Sequence, residues 1–255
     1  MNQKALTSLE YPKIIEQLTE KASSPMGKEL CRNLTPSDDI EKIRLLQVQT
    51  RDALTRLFQK GSVSFGSVKD IRGSLKRLEI GSSLGIPEIL AVCSLLENTS
   101  RVKAYGRKER SDAPSDSLDA MFQDLAPLTP LAGEIRRCIL SEDEISDDAS
   151  PGLRSVRRNM KITNDRIHTQ LSGLVSGSAR TYLQDSVITM RNGRYCVPVK
   201  AEYKGQVPGM IHDQSSTGST LFIEPMAIVK LNNDMRELEL QEQKEIEAVL
   251  ADLSE

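Results

Sequence analysis

The strongest constraint on this chain lies between Asp185 and Lys230, which read DSVITMRNGRYCVPVKAEYKGQVPGMIHDQSSTGSTLFIEPMAIVK. On either side run Leu/Ile/Glu/Arg-rich segments with helical spacing, whereas this stretch carries β-branched residues, glycines and prolines. Asn192-Gly193 separates VITM from RYCVPV, and Asn-Gly is the preferred pair for a type I′ hairpin because both central positions need positive φ. Lys204-Gly205 and Thr217-Gly218 mark two further turns. The spacing predicts four short strands: Val187 to Met190, Arg194 to Glu202, Gly209 to Asp213 and Ser219 to Ile223. Pro198 and Pro208 lack ladder donors, so their strands are expected partly at an edge.

Helices are predicted almost everywhere else. Lys4 to Lys21 reads as one helix, and Ser24 caps a second at Pro25, where proline loses only an orphan donor. After Thr35-Pro36-Ser37 a longer helix is expected from Asp38 to Lys60, with Ile40, Ile43, Leu46, Leu54, Leu57 and Phe58 as an apolar stripe and Gly61 at its end. Val68 to Leu78 and Ile86 to Tyr105 complete the set, and the charged stretch Gly106 to Asp119 reads as a mobile loop. Further on, Leu153, Val156, Met160, Ile167 and Leu174 fit a heptad seam with Thr163 and Gln170 between them. Ile228, Leu231, Met235, Leu238 and Val249 form a second. The expected fold is mainly α: a helical core domain over 1–150, an ascending arm over 151–186, a β-rich tip over 187–225 and a descending arm over 226–255. From periodicity alone an ordinary helical bundle remains the alternative.

Composition narrows the chemistry. In 255 residues, 38% of them hydrophobic, no run approaches the roughly 18–20 apolar residues of a membrane span. The four cysteines, Cys31, Cys93, Cys138 and Cys196, show no CxxC spacing, which points to a reducing cytoplasm and away from zinc. With only His168 and His212, a Ser/His/Asp or His-rich metal site is poorly supplied. No catalytic residue and no metal ligand is expected. The acidic residues Glu142, Asp143, Glu144, Asp147 and Asp148 lack the order of a calcium loop and read as a solvated loop leading to an N-cap before Pro151. His212 beside Asp213 reads as a hydrogen-bonded turn residue, and Cys196 as structural.

Charge is uneven. Arg154 to Lys204 holds ten Lys/Arg against three Asp/Glu, and Glu224 to Glu255 three against nine. Arg191, Arg194, Lys200 and Lys204 gather on the predicted first hairpin beside Gly, Ser, Thr and Gln, a pattern suited to gripping a phosphate backbone without reading bases. A solvated basic surface with no ligand is the plainer alternative.

The segment NGRYCVPVKAEYKGQVPGMIHDQSSTGSTLFIEPMAIVKLNNDMRELELQEQKEI closely resembles the clamp and returning lever helix of the MutS-type ATPase family. DDASPGLRSVRR and DQSSTGSTLFIEP are its most distinctive parts, and the likeness extends upstream through EIRRCILSEDEISDDASPGLRSVRRNM and, more loosely, LEYPKIIEQLTEKASSPMGKEL. More narrowly it looks like the second bacterial branch, the anti-recombination paralogue whose members end in a small Smr nuclease domain. The resemblance implies a clamp that closes over nucleic acid, held out by two long antiparallel lever helices. It implies DNA, branched or duplex, as partner and suppression of homologous recombination as outcome. The same branch also suggests a ribosome-binding role, with ribosomal RNA of stalled ribosomes under the clamp. A homodimer of the full-length protein is implied as well.

No G-x-x-x-x-G-K-[ST] occurs, so this chain is expected to bind no cofactor and not to act as an ATPase by itself. ATP and Mg are expected in a domain further along a longer polypeptide, with the nuclease. Phe222-Ile223-Glu224 matches the family's mismatch-wedging triplet only by chance, since that motif belongs to a domain this chain lacks.

Overall fold

The computed structural model describes residues 3–66, 68–107 and 115–255. The protein is mainly α, with two small sheets, and divides into two compact units: residues up to Glu144 together with Leu250–Glu255, and Ile145–Val249.

The first unit holds α1 (Gln3–Ser8), α2 (Tyr11–Lys21), α3 (Pro25–Arg32), α4 (Ile40–Lys60), α5 (Arg72–Glu79), α6 (Ile86–Gly106), α7 (Asp119–Gln123) and α8 (Thr129–Cys138). The single helix expected over Lys4 to Lys21 is two, broken where Glu10 turns left-handed at φ 56. Pro12 is the cause, because its ring cannot follow a continuous helical turn and is tolerated only at a helix start. Ser24 caps α3 by accepting the Gly27 N–H at 3.0 Å. Asp39 caps α4 through the Glu41 and Lys42 amides at 3.0 and 3.2 Å.

The core of this unit runs along α6, where Ile89, Cys93, Leu96 and Val102 are buried, and meets Ala132, Ile135 and Cys138 of α8. Arg136 of α8 clamps Glu97 of α6 with two bonds of 2.7 and 2.9 Å. The apolar stripe of α4 does not face a core: Ile40, Leu46, Leu54, Leu57 and Phe58 are all exposed, and the one buried residue of α4 is Arg56. Arg56 reaches Asp116 and Asp119 at 2.5 to 2.6 Å and lies 4.8 Å over the Phe122 ring. A periodic stripe shows only that a helix could bury one face, and these neighbours hold the opposite one. Of the loop expected over Gly106 to Asp119, residues 108–114 lie outside the described residues, while Gly106 ends α6 and Asp119 begins α7. The short strands β1 (Ile139–Ser141) and β2 (Glu144–Ile145) form a ribbon.

The second unit is built from α9 (Pro151–Ser176), a four-stranded sheet and α10 (Val229–Asp252). Ser150 caps α9, accepting the Leu153 N–H at 2.9 Å with Pro151 in the first turn. The strands are β3 (Thr189–Arg191), β4 (Arg194–Lys200), β5 (Gly209–Gln214) and β6 (Thr220–Pro225), in the order β3-β4-β6-β5. Val197 and Val199 of β4 with Leu221 and Ile223 of β6 form the inner face, packed with Ile167, Leu171, Leu183, Val207 and Ile228. The two helices run antiparallel. Near the start of α9, Ser150 and Arg157 meet Glu245 and Glu242 of α10 at 3.1 and 2.7 Å, while near its end Ile167 and Leu171 share a core with Ile228 and Leu231.

The heptad reading of α9 needs one correction. Its buried residues are Leu153, Val156, Thr163, Ile167 and Leu171, with Gln170 exposed. The late spacing of four and four is that of a straight 3.6-residue helix lying on a sheet, not of a 3.5-residue supercoil.

Candidate nucleic-acid interface

The hairpin forms where the sequence requires it. Asn192 and Gly193 have φ of 51 and 71, the pair of left-handed positions that a type I′ turn needs, and Arg191 pairs across it with Arg194. β4 lies in the interior of the strand order, against the expectation for Pro198. Locally the expectation is met: the Pro198 carbonyl accepts the Gln184 N–H at 2.9 Å on the side beyond the end of β3. In an antiparallel strand a residue's N–H and C=O point the same way, so the missing donor faces a stretch with no regular strand to satisfy. Lys204-Gly205 is not a tight turn but part of a 3₁₀ segment, Ala201–Gln206.

The hairpin also bends over the sheet's outer face. In a flat sheet of this order β3 and β5 would lie about 14 Å apart, three strand spacings. Instead Arg191 Nε is 3.1 Å from Asp213 Oδ2, the Arg191 guanidinium lies 4.0 Å over the Phe222 ring, and Asn192 Nδ2 donates to the His212 carbonyl at 3.0 Å. The receiving point on β5 is a bulge, because Ile211 pairs with Ile223 and Asp213 with Phe222, leaving His212 as the extra residue. A bulge re-aims its side chain. His212 is therefore not the turn residue expected; its ring turns into the sheet.

Beneath the hairpin is a buried carboxylate. Glu224 has no exposed surface, and its oxygens accept from Arg194 Nη1 at 3.1 Å and Asn232 Nδ2 at 2.8 Å and meet His212 Nε2 at 2.5 Å. Strand alternation explains the Phe222-Ile223-Glu224 triplet: Ile223 enters the inner core while its neighbours serve the outer face. Cys196 is fully buried, and burial, reinforced by the Glu224 charge, pushes its thiol up to about 11. A thiol so raised is a poor nucleophile at neutral pH.

The four basic residues do not form one cluster. Arg191 and Arg194 share the start of β4, Lys200 and Lys204 its far end, and six residue steps of strand put about 20 Å between the pairs. They also differ in freedom. Arg194 is tied to a carboxylate with no access to water, Arg191 to the half-exposed Asp213, and Lys200 Nζ donates to the Thr181 carbonyl at 3.2 Å. Lys204 is exposed and makes no ion pair among the described residues. Near the lysines the β5–β6 turn presents a run of hydroxyls, Ser215, Thr217 and Ser219, linked at 3.4 and 2.8 Å. Neither tyrosine of this region is a free stacking platform. Tyr195 bonds Asn164 and packs edge-on to His168, and Tyr203 packs on Tyr182. At the start of α9, Arg154 pairs with Asp148, and Arg157 with Asp147 and Glu242. The acidic residues Asp147 and Asp148 thus serve as partners for α9, and no group of side chains suited to a metal ion occurs among the described residues.

Asp213, Glu224 and Asn232 carry no sequence signal for their roles, because those roles depend on partners 8 to 37 residues away. The turn signals and the basic residues are local and readable.

No family model matches the chain. Single proteins do, over all of it. The chain is 56% identical over 260 residues to Endonuclease MutS2 of Lachnoclostridium phytofermentans, covering 100% of itself and 33% of that protein. It is 54% identical over 256 residues to Endonuclease MutS2 of Agathobacter rectalis, covering 32% of it, and 56% identical to that of Lachnospira eligens. Identity of this order along the whole chain, on a mainly α frame with a small sheet, makes this a MutS-type sequence. Within that class it belongs with the MutS2 proteins, and it spans about a third of the length of the curated relatives it matches. Among the described residues no helix is long and apolar enough to cross a membrane.

Proposed function

We propose that residues 145–249 are the nucleic-acid-binding part of a MutS-type protein. In this reading 151–186 and 226–255 are the ascending and descending levers, 187–225 the clamp, and 1–150 the helical core that carries them. The ligand is DNA, branched or duplex, and the outcome in the whole protein is suppression of homologous recombination. The whole protein also supplies the ATPase, with its ATP and Mg, and the nuclease that the relatives' name denotes.

The observation that carries this reading is the outer edge of the sheet, where Arg191 at one end and Lys200, Lys204 and the Ser215–Ser219 hydroxyls at the other are all at least partly open to water. Their separation of about 20 Å corresponds to some six base-pair steps of duplex at about 3.4 Å each. Such contacts position a backbone and leave base identity unread.

The test is fluorescence anisotropy with labelled duplex DNA, a four-way DNA junction and an RNA stem across a salt series. R191A/K200A/K204A should weaken binding to unrelated duplexes alike and reduce the salt slope by about 0.9 for each phosphate no longer neutralised. Arg194 is left in place because removing it would strand Glu224. R154A/R158A should change little. Unaltered affinity and slope in the triple variant would remove the clamp assignment, and binding confined to the RNA stem would replace DNA as the ligand.

A further inference from the structure

The two arginines of the hairpin are held by different kinds of carboxylate. Glu224 is completely buried, so breaking its pair with Arg194 would leave a desolvated carboxylate with only Asn232 and His212 beside it, a costly change. Asp213 is different: 48% of its side-chain surface is exposed, as is 38% of that of Arg191. Exposed pairs of this kind are weak and exchange readily with solvent ions.

Asp213 is nonetheless well placed. Its Oδ1 accepts the Gln214 N–H at 2.8 Å, and the adjacent bulge holds the hairpin through the bond from Asn192 to the His212 carbonyl. Arg191 is fixed from below by the Phe222 ring and donates Nη1 to the Met190 carbonyl at 2.9 Å. The guanidinium is thus presented flat, and the edge that a phosphate would take is occupied by a carboxylate of the same chain. Carboxylate and phosphate use the same fork of donors.

Resting on the interface reading above, we infer that Asp213 is a built-in competitor for phosphate at Arg191, so that nucleic acid must displace it to engage the hairpin. The closed pair removes one cation from the surface until a phosphate arrives. On displacement the freed Asp213 carboxylate lies beside the incoming strand and opposes it. Affinity is therefore held below what the basic residues alone would give, and dissociation is favoured by the returning carboxylate.

The experiment uses the whole chain and a 30-base-pair duplex DNA, with Kd measured by anisotropy from low to moderate salt for wild type, D213N, R191A, R191A/D213N and D185N. Asp185 is an exposed acid of the same unit and matches the change in net charge. D213N should bind about three- to fivefold more tightly at low salt and steepen the salt slope by up to about 0.9, the equivalent of one more neutralised phosphate. In the R191A background the same substitution should gain no more than D185N does. Circular dichroism and melting of D213N should match wild type.

A D213N gain equal to that of D185N, or undiminished in R191A, overturns the competitor and leaves only bulk charge. Wild-type binding that R191A/K200A/K204A abolishes while D213N changes nothing keeps the interface and removes the competitor. Binding insensitive to the triple variant, or absent from both wild type and D213N, removes both. Binding by D213N where wild type shows none supports the competitor in its strongest form.

Discussion

The side-chain amide of Asn232, in the first turn of α10, pairs with both backbone groups of Tyr195: Oδ1 accepts its N–H at 3.1 Å and Nδ2 donates to its carbonyl at 3.2 Å. A side chain thereby continues the β4 ladder beyond Val197, where the pairing of β4 with β6 stops. The same Nδ2 also reaches Glu224 at 2.8 Å, and Asn232 is 1% exposed. One buried amide extends the β4 ladder, docks the helix and donates a hydrogen bond to a buried carboxylate.

Asn232→Ala is therefore expected to cost about 2–4 kcal/mol, because it leaves a buried N–H, a carbonyl and a glutamate oxygen short of partners at once. Asn232→Asp should cost at least as much at neutral pH, since a carboxylate can replace the acceptor but neither donor and adds a second anion beside Glu224. Urea unfolding with native-state exchange of the Tyr195 amide reads both. A loss under about 0.5 kcal/mol, the usual range of a surface change, would show that the amide is dispensable.

Gly209 opens β5 where no side chain fits. A Cβ there would overlap the Glu224 carbonyl and the Ile223 side chain on the neighbouring strand. Gly209→Ala is expected to lower stability by about 2–3 kcal/mol through overpacking. Gly205→Ala, at a position with open space around it, should stay within about 0.5 kcal/mol. Thermal melts of the two variants should separate by well over 5 °C, roughly the shift that 1–2 kcal/mol produces in a unit of this size, and coincident melts would disprove the close approach.

Cys196 makes stability depend on alkaline pH. The folded state holds its thiol to about 11, against an ordinary value of 9.0, so the unfolded chain loses the proton first as pH rises. The contribution is fully present below pH 9 and is lost between pH 9 and about 11. Two units of separation correspond to roughly 2–3 kcal/mol. Urea midpoints from about pH 7.5 to 11 should fall more steeply for wild type than for Cys196→Ala, whatever the baseline cost of the substitution. Parallel slopes would count against it.

In the first unit, Arg56→Met should cost about 3 kcal/mol or more, because it removes the partner of two carboxylates around a nearly buried cation. The hydrogen bond from Arg56 holds the Asp116 carboxyl below its ordinary 3.8. Its stabilisation is present above that value and fades as pH falls through the lowered one. Acid unfolding of wild type should therefore show a component that Arg56→Met lacks. Equal acid limbs would mean that Asp116 draws its stabilisation elsewhere.

The sheet was legible because its signals are local. Asn192-Gly193, Thr217-Gly218 and the β-branched runs state turn and strand within a few residues, and observed strand bounds fall within two residues of those expected. Helix partners are not local, which is why the apolar stripe of α4 gave no hint of its exposure and Gln170 fell in the expected seam while Leu171, which is buried, did not. Arg56 and Glu224 were invisible for the opposite reason. A buried charge has no periodic signature, and only its distant partners make it tolerable. Likewise the four basic residues were readable as a set, but their division into two ends of a strand and into pairs with buried and with exposed carboxylates was not.

The bulge at His212 has a consequence for how this sheet tolerates change in length. Because Ile211 and Asp213 already face consecutive residues of β6, excising His212 would heal the ladder without displacing anything after it. A single-residue deletion inside a strand ordinarily turns every later side chain to the wrong face. Here it would yield a smoother ribbon, less twisted and with one fewer unpaired residue. What it would forfeit is the ring at Glu224 and the carbonyl that tethers Asn192. The chain thus keeps a local frustration at the one point where a regular strand would leave a buried anion short of a partner.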